Sequence, residues 1–319
     1  MNRNLARKLI FNLFILFPVG YLFSIHYSNL YTGGDQQHYG GLYNALTHSP
    51  LTSIPALQFS YTGSAEPLYG LLAWLGSHIM PKEYWFSIFN AMLFIAVFSA
   101  LEKRNASRFL YPLVFTNYYL FVLAFSAERL KFTVLLILLS YVSQGRRKYA
   151  FAGISALFHF QAILFGAHEF GARLRNLFYG LFRGRMSKNN LITLIVSLLT
   201  LVVLFVVFEA KIIGKLDSYS GRGLGELAKF LIFFIAGISL APDKHQAFFC
   251  YLILAVATLI FGDDRINMVT FMFTLLYSFS WNKGINPITI ILLSYYSVRG
   301  FLFLSNVAAI GTGFPQDLL

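Results

Sequence analysis

The chain carries few charged residues and only one cysteine. Charged residues make up 12% of its 319 positions and 57% are hydrophobic, whereas in soluble domains about 25% are charged. Cys250 lies alone in an apolar run, so it can form no intrachain disulfide, and no thiol cluster is present to bind a metal. This composition argues against an ordinary soluble domain.

The sequence also lacks the short motifs that mark nucleotide, zinc and dinucleotide sites. It contains no GxxxxGK[ST] loop, no HExxH pattern and no Rossmann glycine pattern after a strand. No repeat of about 20–50 residues is visible, which argues against a solenoid. We therefore expect neither a metal nor a cofactor.

Basic residues outnumber acidic ones, and the formal net charge is +12. Most of them lie in short stretches between apolar runs, where Lys and Arg set the orientation of a membrane protein. Membrane lipid is therefore an expected partner, and nucleic acid is not.

Apolar runs long enough to cross roughly 30 Å of hydrocarbon recur throughout the chain. They predict an all-α polytopic integral membrane protein with about 10–11 transmembrane helices, forming a single membrane domain over residues 1–319. The predicted spans are Lys8–Ile25, Tyr84–Leu101, Phe109–Phe125, Phe132–Ser143, Tyr149–Gly166, Asn190–Phe208, Ala228–Ala241, Ala247–Gly262, Met268–Trp281 and Ile285–Leu304. The apolar segment Pro67–Met80 is short for a full crossing.

The distribution of Lys and Arg predicts the orientation. Basic clusters lie at the N-terminus and in the stretches Glu102–Arg108, Gly145–Lys148 and Arg173–Lys188, and we expect these to face the cytoplasm. Residues 26–66, which include short helices, and residues 209–227 then form two periplasmic loops. The turns Ala127–Lys131 and Asp263–Asn267 also face outward.

This topology leaves one crossing unaccounted for. If Tyr149–Gly166 spans the membrane, it ends outside, although Arg173–Lys188 is predicted to be cytoplasmic. Either the segment is broken or re-entrant near His159, or Phe170–Phe182 crosses despite two arginines. We favour the break, because non-helical backbone at membrane depth is tolerated where it lines protein or a wet cavity.

Ionisable and amide side chains occur at the outer ends of the apolar runs or inside them. Ionisable groups in such places are costly and persist when they face a cavity or a partner. They are Asp35 and His38 in GGDQQHY, Glu66 in SAEPLY, Arg129 and Lys131 in AERLKF, His159 and Gln161 in FHFQA, and Arg265 in GDDRIN. Each also has a purely structural interpretation.

The structural alternatives are local. Glu66 can be a first-turn acid at a helix N-terminus with Pro67 at its first position. Arg129 can pair with Glu128 or extend to the membrane surface, and Arg265 can pair with a neighbouring aspartate. His159 can be a core histidine with satisfied hydrogen bonds, and the glycines before Asp35 can form an ordinary turn.

The functional alternative is phosphate chemistry at a membrane surface. Arginine offers a planar fork that matches phosphate oxygens and keeps its charge. Carboxylates and a histidine offer a base for a hydroxyl nucleophile. A lipid-linked diphosphate, with its leaving group beside the bilayer, suits this set of side chains.

The blocks GGDQQHY, EPLYGLLAWL, ERLKFTVLLILLS, ISALFHFQAILF and GDDRINMVTFMF extend from Asp35 to Phe273. In their order and spacing they resemble the EpsG family of bacterial polysaccharide polymerases, which is related to the Wzy-type O-antigen polymerases. The resemblance implies a membrane glycosyltransferase that joins undecaprenyl-pyrophosphate-linked repeat units on the periplasmic face of the bacterial cytoplasmic membrane. Two positions depart from the family pattern: Gln161 replaces a small hydroxyl residue, and Gln36 follows Asp35.

The resemblance also implies roles for single residues. Asp35, Glu66 and His159 are the candidate catalytic residues, and Arg129 and Arg265 the candidate pyrophosphate ligands. The candidate substrate-binding residues are His38, Tyr39, Lys131, Gln161, Arg222 and Asp264. The expected partners are the lipid-linked glycan donor and acceptor, together with a chain-length regulator.

Two other function classes fit parts of the sequence. A membrane acyltransferase or ligase acting on envelope glycans would also use an intramembrane histidine, with His159 reachable from the cytoplasm. A flippase for lipid-linked sugars would use broken helices near the midplane, but such transporters often have inverted repeats, and none is visible here.

Overall fold

The structure is a computed structural model, and it describes residues 11–64, 66–183, 223–261 and 264–314, together with single positions between 188 and 199. The regular structure in these residues is helical. The helices are α1 (Phe17–Leu30, preceded by a π-helical turn at Asn12–Leu16), α2 (Asp35–Leu46), α3 (Ile54–Thr62), α4 (Pro67–Ser77), α5 (Lys82–Lys103), α6 (Tyr111–Phe115), α7 (Tyr118–Phe125), α8 (Glu128–Val142), α9 (Arg146–Phe158), α10 (Ala167–Phe182), α11 (Gly223–Leu240), α12 (Lys244–Phe261), α13 (Asp264–Ser278) and α14 (Pro287–Ile310).

Three helices in the described part of the chain are long and apolar enough to cross a membrane: Asn12–Leu30, Lys82–Lys103 and Asn282–Ile310. A fourth span results if Arg108–Phe115 and Tyr118–Phe125, which meet at 49°, are counted as one broken segment. The larger predicted number of spans stays a prediction. Most of the predicted span Asn190–Phe208 lies outside the described residues.

Both predicted periplasmic loops contain helix in their described residues. In residues 26–66, α1 continues to Leu30 and the short helices α2 and α3 follow. In residues 209–227, the described part begins within α11, at Gly223. The expected orientation of these loops toward the periplasm stays a prediction.

The chain divides into two compact units. The first comprises the described residues of Met1–Ala162 and Ile290–Leu319, and the second those of Ile163–Thr289. In the first unit, α2 presents Tyr39, Leu42, Tyr43 and Leu46 on one face, since they follow the i, i+3, i+4, i+7 spacing of an amphipathic helix. This face packs in a core with residues of α3, α4, α5 and α8.

The second unit has its own apolar core. It is built from α10, α11, α12 and α13, with Tyr251, Leu254, Ile266 and Val269 fully buried. Gly171 allows α10 to pack closely on α12, because a Cβ there would lie 2.8 Å from the backbone nitrogen of Cys250.

A helix break lies at His159. Helix α9 ends at Phe158, and the backbone of His159 is extended at φ −162° and ψ 132°. A 3₁₀ segment, Phe160–Gly166, follows before α10 begins. The break therefore lies where the topology argument placed it, whereas a re-entrant path through a membrane stays a prediction.

Candidate functional site

The first turn of α8 buries three ionised side chains. Glu128 is 3% exposed, Arg129 9% and Lys131 1%. Burying a charge is expensive unless it is paired and hydrogen-bonded. The partners of these three side chains come from α2, α4, α5 and α7 and from Glu66 directly before α4, and they form two adjacent polar clusters.

The first cluster is centred on Glu66 and is called here the glutamate cluster: Glu66, Arg129, His159, Gln58 and Tyr39. Arg129 Nη1 donates to both carboxylate oxygens of Glu66, at 3.0 and 2.8 Å. His159 Nδ1 lies 3.1 Å from Glu66 Oε1, and Gln58 Nε2 donates to Oε2 at 3.1 Å. Arg129 Nε reaches the hydroxyl of Tyr39 at 3.4 Å.

Local structure explains why these side chains meet. Glu66 is the residue before α4, and Pro67 occupies the first helical position, where its missing N–H has no cost. The left-handed Gly63, at φ 66°, ends α3 and allows the chain to reverse before Glu66. His159 ends α9 in an extended conformation, so its ring leaves the helix surface and reaches Glu66.

Electrostatics keep Glu66 ionised. Burial raises the pKa of its carboxyl, but the hydrogen bond from His159 and the charge of Arg129 outweigh burial and lower the pKa to about 2. An ionised carboxylate can only accept, so the contact with His159 requires a proton on Nδ1. In the neutral tautomer this leaves Nε2 as the basic nitrogen of His159.

The second cluster lies around Glu128 and is called here the lysine cluster: Lys82, Glu128, Lys131, Tyr69 and Asn90. Lys82 Nζ pairs with Glu128 Oε1 at 3.1 Å, and the Tyr69 hydroxyl donates to Oε2 at 2.9 Å. Lys131 Nζ donates to Asn90 Oδ1 at 2.7 Å and to the carbonyl of Ala124 at 3.1 Å. One carboxylate thus lies among two ammonium groups.

Gln36 ties this cluster to the break between α7 and α8. Its Oε1 accepts a hydrogen bond from Lys82, and its Nε2 donates to the carbonyl of Phe125, the last residue of α7. Two successive residues of α8 therefore belong to different clusters: Glu128 pairs with Lys82 in the lysine cluster, and Arg129 pairs with Glu66 in the glutamate cluster. The two clusters are therefore continuous through the backbone of α8.

The structure brings together several residues that the sequence singled out. Tyr39, Glu66, Arg129 and His159 are in direct contact, although they come from distant parts of the chain. The local alternative for Arg129 is not what the structure has, since its contacts are with Glu66 and Tyr39. Glu66 does stand at the start of a helix, directly before Pro67, as the structural alternative predicts. Its carboxylate also binds a distant residue, Arg129.

Other predicted residues lie apart from the glutamate cluster or outside the described residues. Lys131 belongs to the lysine cluster, Asp35 is half-buried in the first turn of α2, and His38 is exposed. Gln161 is buried, and its Oε1 accepts no hydrogen bond from the residues that the structure describes. In the second unit, Arg265 and Asp264 begin α13, and Asp264 lies 3.3 Å from Lys229; Arg222 is outside the described residues.

Sequence reasoning missed Gln58, Tyr69, Lys82, Glu128 and Asn90 as site residues. Two of them carried a usable signal. Lys82 follows Pro81 directly before a long apolar helix, and Asn90 is a lone amide inside that helix. Polar groups inside an apolar span indicate a buried partner. Among the described residues, no group of three or more His, Cys, Asp or Glu side chains could hold a metal ion.

Comparisons with protein-family models, with curated proteins and with solved structures each found no match to this chain. The functional argument therefore rests on the geometry of the two clusters and on the chemistry of their side chains.

Proposed function

We propose that the chain is a membrane glycosyltransferase that polymerises undecaprenyl-pyrophosphate-linked oligosaccharide repeat units, as the resemblance to the EpsG family implies. The observation that carries the proposal is the contact of His159 Nδ1 with the ionised carboxylate of Glu66, which Arg129 also binds. A carboxylate that orients a histidine through one ring nitrogen leaves the other nitrogen to act as a general base.

In the proposed reaction, a hydroxyl of the acceptor repeat unit attacks the anomeric carbon of the donor. The new bond joins this oxygen to the anomeric carbon, and the bond from that carbon to the diphosphate oxygen breaks. The electron pair of the broken bond leaves with undecaprenyl pyrophosphate, and the hydroxyl proton passes to His159 Nε2. Glu66 holds the ring in the reactive tautomer and stabilises the imidazolium that forms.

Arg129 has two functions in this proposal. Its Nη1 and Nε groups bind Glu66 and Tyr39 and fix the position of the carboxylate. Its Nη2 donates to no acceptor in the described residues, and we assign this group to the developing charge of the diphosphate. Arg265 remains a second candidate ligand, as the sequence predicts.

The proposal includes a location and partners. Donor and acceptor both carry a polyprenyl chain, so the enzyme has to lie in the membrane that holds them. We assign it to the bacterial cytoplasmic membrane with its site on the periplasmic face, about 10–11 spans, and a chain-length regulator as a further partner. No nucleotide sugar and no metal takes part in this mechanism.

The proposal is tested by the glycan ladder of cells with and without the gene. The proposal predicts long chains in the presence of the gene, and in its absence a single lipid-linked repeat unit that accumulates on the outer face. Accumulation on the inner face would support the flippase alternative instead. A normal ladder without the gene would refute the polymerase function.

A further inference from the structure

A further polar feature of the first unit borders the lysine cluster and shares Lys82 with it. It is a cavity of about 390 Å³ between α2 and the turn that joins α4 to α5. This volume lies within the range of small-molecule sites, about 300–1,000 Å³. The side chains that matter for its chemistry are those of Asn44, Thr47, Ser77, His78, Lys82 and Glu83.

Hydrogen bonds fix the chain around the cavity, and several polar groups of the lining keep capacity for further hydrogen bonds. The Tyr43 hydroxyl donates to the carbonyl of Met80 at 2.8 Å, and the indole of Trp74 donates to the carbonyl of Ser49 at 2.9 Å. Thr47 and Ser77 donate to backbone carbonyls, so their oxygens can still accept. The exposed amide of Asn44 makes no hydrogen bond within the described part of the chain.

The charge of the lining indicates which ligand fits. Lys82 and Glu83 carry opposite charges, and Lys82 is already paired with Glu128. A diphosphate needs an excess of positive charge, which this cavity lacks, and the Glu83 carboxylate would repel it. Hydroxyl, amide and imidazole groups that mix donors with acceptors suit a neutral, polyhydroxylated ligand.

We propose that this cavity binds the sugar end of the acceptor repeat unit, an inference that rests on the proposed function for the source of the glycan. Lys82 joins the cavity to the lysine cluster, since it lines the cavity and pairs with Glu128, and the next residue of α8, Arg129, belongs to the glutamate cluster. The cavity supplies sugar recognition, and the glutamate cluster supplies the base. The roles of acceptor binding and proton removal are thereby assigned to different residues.

A larger side chain at Gly40 would fill the cavity without a steric clash at Cβ. Gly40 lines the cavity on α2, and a Cβ built there meets no atom within 4 Å. Phenylalanine at this position therefore enters the open space without a clash at Cβ, and it removes a glycine from a helix interior, where glycine is unfavourable. Gly153, in α9, is exposed and, like Gly40, open at Cβ, but it does not line the cavity, which makes Gly153→Phe the control.

The test uses the full chain in lipid nanodiscs and two probes. One probe is the neutral oligosaccharide released by mild acid from the lipid-linked fraction of the cells, and the other is inorganic pyrophosphate. Calorimetric titration should show oligosaccharide binding that Gly40→Phe weakens at least tenfold and Gly153→Phe leaves unchanged. Asn44→Ala should weaken it as well, whereas Gln37→Ala, an exposed amide elsewhere on α2, should not.

Several outcomes would overturn the assignment. Oligosaccharide binding that is unaffected by both Gly40→Phe and Asn44→Ala would place the sugar elsewhere. Pyrophosphate binding that Gly40→Phe abolishes would make the cavity an anion site. The proposed function has its own test: it fails if the glycan ladder stays normal without the gene. Oligosaccharide binding at the cavity is measured independently of that result. If Gly40→Phe does not fold, the comparison of oligosaccharide binding between Asn44→Ala and Gln37→Ala decides whether the cavity binds the sugar.

Discussion

The two units of the chain differ in where their described charged side chains lie: some are buried in the first unit, and those of the second unit are partly exposed. In the first unit, Glu66, Glu128, Arg129 and Lys131 are buried and contact charged or neutral side chains from distant helices. In the second unit, the described ion pairs lie near the surface: Arg175 with Asp243, and Lys229 with Glu226 and Asp264.

Among the described residues of the second unit, the buried polar side chains are neutral groups. Tyr251 shares a hydrogen bond with Thr274 at 2.8 Å, and His168 contacts the hydroxyl of Tyr277 at 2.9 Å. Neutral pairs of this kind satisfy a core at little cost. Buried charges are far more expensive, so their presence in the first unit is better explained by chemistry than by stability.

The largest expected effect comes from Arg129→Lys. Lysine keeps the charge but cannot bind both Glu66 oxygens and the Tyr39 hydroxyl from one planar group. We expect the yield of long chains to fall on the order of a hundredfold, as for a misplaced catalytic group, with protein level and membrane insertion unchanged. The measurement is the glycan ladder beside an immunoblot.

The matched control is Arg175→Lys, which changes an arginine of the second unit that also pairs with an acid. It should leave the ladder intact. Equal loss in both variants, or normal chains from Arg129→Lys, would remove the distinction between the two units.

The next effect concerns the stability of the lysine cluster. Glu128→Gln removes the carboxylate that compensates Lys82 and Lys131 and should lower the free energy of unfolding by about 3–5 kcal/mol, because it leaves buried ammonium groups uncompensated. The double variant Lys82→Met with Glu128→Met should recover part of this loss, because it removes one of the two uncompensated ammonium groups and leaves Lys131. Thermal unfolding in detergent measures both; a double variant as unstable as the single one would contradict the charge explanation.

The pH dependence of Glu66 is a smaller effect. The folded-state pKa of its carboxyl is lowered to about 2, below the ordinary value of 4.5, so its contribution to stability is complete above pH 4.5 and is lost as the pH falls toward 2. The difference in melting temperature between the wild type and Glu66→Gln should therefore be constant from pH 7 to about 5 and shrink below that. A difference that grows on acidification would contradict the lowered pKa.

The smallest effect is expected in the second unit. Lys229 is 39% exposed and pairs with Glu226 at 2.8 Å, and a pair this accessible to solvent contributes about 0–1 kcal/mol. Lys229→Met should therefore change the free energy of unfolding by no more than this, and the ladder should stay normal. A destabilisation as large as that of Glu128→Gln would erase the contrast between the units.

The helical nature of the fold and one helix break could be predicted from the sequence, whereas the number of membrane spans stays a prediction. Long apolar runs indicate helices, and the alternation of basic loops located the break at His159. The pairing of the charges could not be predicted, because Glu66 meets Arg129 and His159 across 63 and 93 positions of chain. Sequence proximity favoured Glu128 as the partner of Arg129, but successive residues of a helix point in different directions and do not face each other.

Lys82 was missed for a related reason. A lysine at the end of an apolar run is usually a solvated flanking charge that sets orientation. Here Pro81 precedes α5 and the Lys82 side chain turns inward to Glu128, 46 positions away. Only the packing of α5 against α8 brings this pair together.

The most direct test of the central claim is His159→Asn, examined on the glycan ladder. The amide of asparagine can keep the hydrogen bond to Glu66 that Nδ1 makes, but it has no basic nitrogen at the position of Nε2. The control is His168→Asn, a histidine of the second unit that contacts Tyr277. If His159 is the base, His159→Asn gives single repeat units at normal protein level while His168→Asn gives long chains. Long chains from His159→Asn would contradict the account.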